Sequence, residues 1–179
     1  MRTFVGLPVP ESWHAALAGA QAHIPVGRAV DASDLHVTLA FLGEQEIPAL
    51  EALHESLERR RLAPAELNIV GLALFGGARP KLLAADLQPT ESLRALRASV
   101  QQAVREAGIV LERTRFRPHI TLVRFGSGLA PDRLAALSRA LSEAPPVSGR
   151  SIAHRLVLYR SHLGPGGAEY EELASYPLI

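Results

Sequence analysis

The spacing of apolar and polar residues changes period several times along the chain. Period-two stretches bounded by Gly and Pro predict strands over residues 3–7, 35–42, 67–75, 81–87, 119–125, 152–160 and 170–174. Between them, apolar residues recur at helical spacing. A first helix starts at Pro10, a residue tolerated in the first turn, and buries Trp13, Leu17 and Ala20 on one stripe. Three more helices run over 48–60, 91–107 and 131–141, and Gly108 stands where a glycine closes the third. The Gly- and Pro-rich segments at 75–80 and 161–170 read as turns between strands.

In order this is βαβαβ followed by βαβαββ, which predicts an α+β fold. The two runs are nearly the same unit, and the strands carrying HVTLAFLG and HITLVRFG fall at equivalent places in them. The expected body is one two-lobed, pseudo-twofold domain over 1–179. Its duplicated βαβαβ unit covers about 1–76 and 80–179.

Both repeated strands read His, β-branched residue, Thr, Leu: His36-Val37-Thr38-Leu39 and His119-Ile120-Thr121-Leu122. Side chains alternate faces along a strand. His and Thr of each copy therefore share one face, while Val37, Leu39, Ile120 and Leu122 fill the other. With 7 His and 5 Thr in 179 residues, chance would supply about 0.2 such His-x-Thr pairs on ordinary composition. Two occur, and each lies in an apolar strand. His14, His23, His54, His154 and His162 lack the pattern and read as surface or structural residues.

An imidazole, with an ordinary pKa of about 6.5, is the side chain best placed to exchange a proton near neutrality. Two can hold opposite protonation states, one activating water while the other protonates a departing alkoxide. The Thr hydroxyls can donate to the equatorial oxygens of a phosphorus centre under attack. Arginine adds charge stabilisation. Arg117, just before Pro118-His119, and Arg124 are candidates, although strict alternation puts Arg124 on the face opposite His119. The near-symmetric motifs leave the order of the two histidines open, and we assign His36 as proton donor and His119 as acceptor.

Composition narrows the chemistry further. Without cysteine, disulfides, thiolate metal sites and a Cys nucleophile are excluded. The stretch MRTFVGLPVPESWHAAL is too broken by Gly and Pro to be a signal peptide, and no run approaches the roughly 20 apolar residues that span a bilayer. The expectation is a soluble, cytoplasmic protein, monomeric and without a membrane partner. Net charge is only +1, so any polyanion must be gripped locally. Residues 113–124, RTRFRPHITLVR, offer four arginines and no carboxylate.

On both His-x-Thr motifs, and on RTFVGLPVPES, GLALFGGARPKLLAADL, FRPHITLVRF and LYRSHLGPGGAEYEELASYPL, the chain resembles the 2H phosphoesterase superfamily. It is most similar to the LigT-like bacterial and archaeal RNA 2',3'-cyclic phosphodiesterases, once called 2'-5' RNA ligases. The resemblance implies antiparallel sheets lining a central cleft with helices outside, and His36, Thr38, His119 and Thr121 as catalytic residues. It implies a base-stacking aromatic at Phe41 and an arginine at Arg124, and points less directly to Arg79 as a basic residue near the cleft. By alternation Phe41 departs from the His36 face and reads equally as core.

The implied reaction opens a 2',3'-cyclic phosphate at an RNA end or small nucleotide to a 2'-phosphate, with no metal or organic cofactor. Ligation is the same chemistry reversed. A zinc hydrolase would need a third ligand beyond two histidines 83 residues apart, and no HExxH or carboxylate cluster supplies one. GxSxG and GxxxxGK[ST] are absent, which removes serine-hydrolase and P-loop readings. A non-catalytic nucleotide- or RNA-binding module stays as the rival from another class.

Overall fold

The computed structural model describes residues 1–165 and 167–179. Its strands are β1 (Arg2–Pro8), β2 (Arg28–Ala29), β3 (His36–Glu44), β4 (Ala65–Phe75), β5 (Leu82–Leu87), β6 (His119–Arg124), β7 (Gly149–Ala153), β8 (Arg155–Gly164) and β9 (Gly167–Pro177). The helices are α1 (His14–Ala22), α2 (Ile47–Glu58), α3 (Glu91–Glu106) and α4 (Pro131–Glu143). The α+β expectation holds, with a single antiparallel sheet in the order β7-β4-β5-β6-β3-β1-β8-β9 and β2 paired to β6.

The two motif strands, β3 and β6, lie at the middle of this order, and an arm of the sheet extends from each. One arm is β3-β1-β8-β9, the other β6-β5-β4-β7. The arms do not coincide with residues 1–76 and 80–179, because that boundary falls in the tight turn joining β4 to β5. Those two strands pair with each other from Ile69 opposite Leu87 to Phe75 opposite Leu82. Strands joined by so short a connection pair as a hairpin, which keeps both in one arm.

The single strand expected over 152–160 is two strands. His154 alone separates β7, at the outer edge of one arm, from β8, inside the other. An apolar run reads as one strand whether or not it changes partners, so the corner is invisible in the pattern. Chain crossing in one residue brings the arms together opposite the β3–β6 seam. Leu178 donates its N–H to His154 O (2.9 Å), and Ile179 donates to Leu62 O (2.8 Å), tying β9 to the start of β4 at that corner.

One face of the sheet is the core. Val5, Leu7, Val37, Leu39, Ile120 and Leu122 pack there with Leu17 of α1, Leu53 and Leu57 of α2, Leu93 and Val100 of α3 and Leu137 of α4. Full burial of such side chains stabilises by about 1.5–3 kcal/mol each. The first helix enters through a 3-10 turn over Glu11–Trp13 rather than directly at Pro10, and its buried residues are Trp13, Leu17 and Ala20. In α3, Thr90 caps the start by accepting from Leu93 N–H at 3.2 Å. Gly108 takes the left-handed conformation (φ 77°) that lets the chain turn away after α3.

Candidate active site

The seam between the motif strands is short. Val37 pairs with Ile120 in antiparallel register, which sets His36 across from Thr121 and Thr38 across from His119. Such cross-strand neighbours lie roughly 5 Å apart at their Cβ atoms. Val37 and Ile120 are fully buried, whereas all four His and Thr side chains are partly open. The pleat thus gathers two imidazoles and two hydroxyls on the face away from the core.

Both motif strands then break their alternation at the same place. Gly6 pairs with Thr38 and Val5 with Ala40, so Leu39 is the extra residue of a β-bulge. Ala84 pairs with Thr121 and Leu83 with Val123, so Leu122 is the extra residue in β6. In each strand two successive residues are buried, Leu39-Ala40 and Leu122-Val123, and the next is exposed. That residue is Phe41 in one and Arg124 in the other. Both therefore return to the His-x-Thr face, correcting the reading by strict alternation.

His36 sits on a shelf of aromatic rings supplied by the outer strands of its arm. Its ring centroid is 4.6 Å from Phe4, 4.9 Å from Tyr170 at an edge-on 87°, and 5.9 Å from Tyr159. Phe4 and Tyr159 are opposite each other in the β1–β8 ladder and stack at 4.9 Å. Burial on this shelf pushes the His36 pKa down to about 4. The Asp34 carbonyl works against that fall, and the charges of Arg124 and His119 add to it.

His119 is less enclosed. Phe75 lies 4.4 Å away, ring to ring, and Arg117 lies over the Phe75 ring, 4.0 Å from its centroid. Burial lowers the His119 pKa, opposed by the Arg117 carbonyl and by Asp86, while Arg117 and Arg124 push the same way as burial. Asp86 is the ladder partner of His119 in β5 and sits 3.6 Å from the Arg117 guanidinium.

One device is common to both imidazoles. His36 Nδ1 bonds Asp34 O at 2.7 Å, and His119 Nδ1 bonds Arg117 O at 2.8 Å, in each case the carbonyl two residues back. A carbonyl can only accept, so Nδ1 carries the hydrogen and Nε2 is the nitrogen left for proton transfer. Asp34 also accepts from the Tyr170 N–H through Oδ1 at 3.2 Å, joining the β8–β9 hairpin to the loop that holds His36.

The motif face opens into two neighbouring cavities of about 380 and 440 Å³, sizes that admit a nucleotide. Thr38 and Phe41 line both. His119, Arg117 and the 110–117 segment line the first, and His36, Arg124, Phe4 and Tyr170 the second. Arg2 lies over the exposed Phe41 ring at 4.8 Å. Arg79, by contrast, is exposed in the β4–β5 turn and lines neither cavity. Among the described residues no three His, Asp or Glu side chains converge as metal ligands would. Among the described residues no helix is long and apolar enough to cross a membrane.

The family model of the 2'-5' RNA ligase superfamily matches residues 8–165. The chain belongs to this superfamily. Within it, the chain is 30% identical to an RNA 2',3'-cyclic phosphodiesterase of Geobacillus stearothermophilus over 98% of its own length and 57% of that protein. It therefore spans little more than half of that relative. It is 29% identical to the RNA 2',3'-cyclic phosphodiesterase of Bacillus subtilis (strain 168), over 98% of this chain and 95% of that one. Its fold matches TT0787 of Thermus thermophilus with a TM-score of 0.81 at 28% identity, covering 99% and 98% of the two chains. It also matches E. coli LigT complexed with 3'-AMP, at 0.74 and 26%, covering 99% and 96%.

Sequence reasoning missed several parts of this superfamily member's cleft. Phe4, Tyr159 and Tyr170 surround His36, and Phe75 and Asp86 flank His119, all from strands remote in sequence from the motif they serve. Pairing register, which no local pattern reveals, brings them there. The bulges did leave a signal: at least two consecutive apolar residues after each Thr, in TLAF and TLVR, where a half-buried strand would alternate.

Proposed function

We propose that the protein is an RNA 2',3'-cyclic phosphodiesterase acting through His36 and His119 without a metal ion. A water oxygen attacks phosphorus and one neutral imidazole takes its proton at Nε2. The P–O3' bond breaks with its electron pair on O3', which takes a proton from the other, protonated imidazole. The product is a 2'-phosphate. Thr38 and Thr121 donate to the equatorial oxygens, Arg124 offsets their charge, and Phe41 offers a ring to the terminal base. Arg117 stands beside His119, where it can meet a phosphate.

The observation that carries this reading is the shared face: His36 across from Thr121 and Thr38 across from His119, with both Nδ1 atoms held by backbone carbonyls. A plain nucleotide clamp does not need two imidazoles locked in the same tautomer. Superfamily membership and the names of the relatives support the same reaction class. Ligation, joining the cyclic end to a 5'-hydroxyl, runs the same transfers backwards and competes poorly with water at bulk concentration.

We keep His36 as donor and His119 as acceptor. One observation favours the reverse order: burial lowers the pKa of both imidazoles, His36 to about 4, and only at His119 does a carboxylate, Asp86, oppose the fall. The donor role for His36 thus rests on the charge of the bound phosphate raising its pKa. The test of the function is hydrolysis of a short RNA ending in 2',3'-cyclic phosphate in excess EDTA, with the product read by phosphorus NMR. A 2'-phosphate formed at undiminished rate supports the proposal. Loss of turnover on chelation, or a 3'-phosphate product, contradicts it.

A further inference from the structure

The cavity beside His119 does not end at the motif face. It continues into a second one, of about 600 Å³, across α3 and the 108–114 segment. Arg97, Gln101, Val110, Leu111, Glu112 and Thr114 line both, so the two form one groove leading away from His119. Five arginines border it: Arg117 and Arg115 near the seam, Arg97 midway, and Arg105 and Arg113 at the far end. Glu112 is the one carboxylate among its lining residues. Among the described residues, none of Arg97, Arg105, Arg113 and Arg115 has a carboxylate within ion-pair distance.

Two details of the groove suit a single nucleic-acid strand. Arg97 is held rather than solvated: its Nε donates to Leu39 O at 3.3 Å, and its guanidinium lies 4.5 Å from the Phe116 ring centroid. Val110, 91% exposed, stands in the groove as an apolar contact among the cations. Spaced cations beside apolar surface are what a flexible strand with charged phosphates and flat bases needs. The opposite exit, past the β8–β9 hairpin, is lined with Asp31, Asp34 and Glu169 as well as arginines, and repels a polyanion more.

We infer that this groove carries the RNA strand on the 5' side of the cyclic phosphate, so that its arginines add binding from nucleotides upstream of the reacting end. The inference rests on the proposed activity and extends it from the reacting end to the strand behind it. Phosphates of the upstream nucleotides meet Arg115, Arg97, Arg105 and Arg113 in turn, outside the seam where the bond breaks.

The test compares 2',3'-cyclic CMP with an RNA of about ten nucleotides ending in 2',3'-cyclic phosphate, a length within the usual reach of single-strand sites. The wild type should show a kcat/KM at least about tenfold higher for the oligonucleotide at low salt, an advantage that shrinks as salt rises. Arg105→Ala/Arg113→Ala should abolish most of that advantage and keep cyclic CMP turnover. Each lost phosphate contact should also lower the slope of log affinity against log salt by about 0.7. Equal kcat/KM for the two substrates in the wild type, or an undiminished oligonucleotide advantage in the variant, overturns the inference. Fluorescence anisotropy with a non-reactive RNA of the same length, ending in 3'-hydroxyl, separates the two proposals. If neither substrate turns over but the variant loses RNA binding, the groove stands and the activity falls. If the variant binds that RNA as tightly as wild type, the groove assignment fails whatever the turnover.

Discussion

Val37 lies directly opposite Ile120 at the seam between β3 and β6, both fully buried. Because the pleat alternates, this one pair turns the residues on either side of it, His36 with Thr121 and Thr38 with His119, towards the cleft. The bulges at Leu39 and Leu122 then rotate Phe41 and Arg124 onto the same face. Core packing on one side of the seam thereby positions the chemistry on the other.

Arg124 is predicted to act on both imidazoles at once. Its charge lowers the pKa of His36 and of His119, so Arg124→Gln should raise both, read by NMR titration of the ring resonances. Loss of the cation facing the phosphate should also reduce kcat/KM by about 10² to 10³. Unmoved ring titrations would place Arg124 away from the seam.

Acid should destabilise the fold through His36. Its pKa falls from an unfolded value of about 6.5 to about 4 when folded. Below about pH 6.5 the unfolded chain binds a proton that the folded one refuses, so stability is complete above that pH and falls towards pH 4. By pH 4.5 the loss is about 2–3 kcal/mol. Urea denaturation of wild type and His36→Gln at pH 7 and 4.5 checks this: the variant should lose less on acidification. An equal loss in both would assign the acid sensitivity elsewhere.

Gly6 supports the seam from beneath. A Cβ at this position would lie 2.9 Å from Val37 O, a backbone atom of β3, and Gly6 is the ladder partner of Thr38 beside the Leu39 bulge. Gly6→Ala should therefore push β3 and cost about 1–3 kcal/mol. It should also lower kcat more than it changes KM, since misplacement by about an ångström costs about 10² in rate. Wild-type stability and turnover would show that β3 yields without displacing His36 and Thr38.

The His-x-Thr pair was legible because each motif is local: four consecutive residues whose alternation states both the face and the chemistry. The helices were legible for the same reason, through the Trp13, Leu17 and Ala20 stripe of the first and the Gly108 that closes the third. What escaped was set by pairing between distant strands. Alternation alone misassigned Phe41 and Arg124, because a bulge depends on the partner strand. Likewise the run around 152–160 hid a corner at His154, and the aromatic shelf under His36 joins residues 4, 159 and 170.

The most direct test of the two-histidine account is turnover of an RNA 2',3'-cyclic phosphate in excess EDTA by wild type, His36→Ala, His119→Ala and the double variant. The account predicts that each single variant folds, loses about 10² to 10⁴ in kcat, and that the double variant loses little more than either one. Wild-type-like turnover in either folded single variant would contradict it.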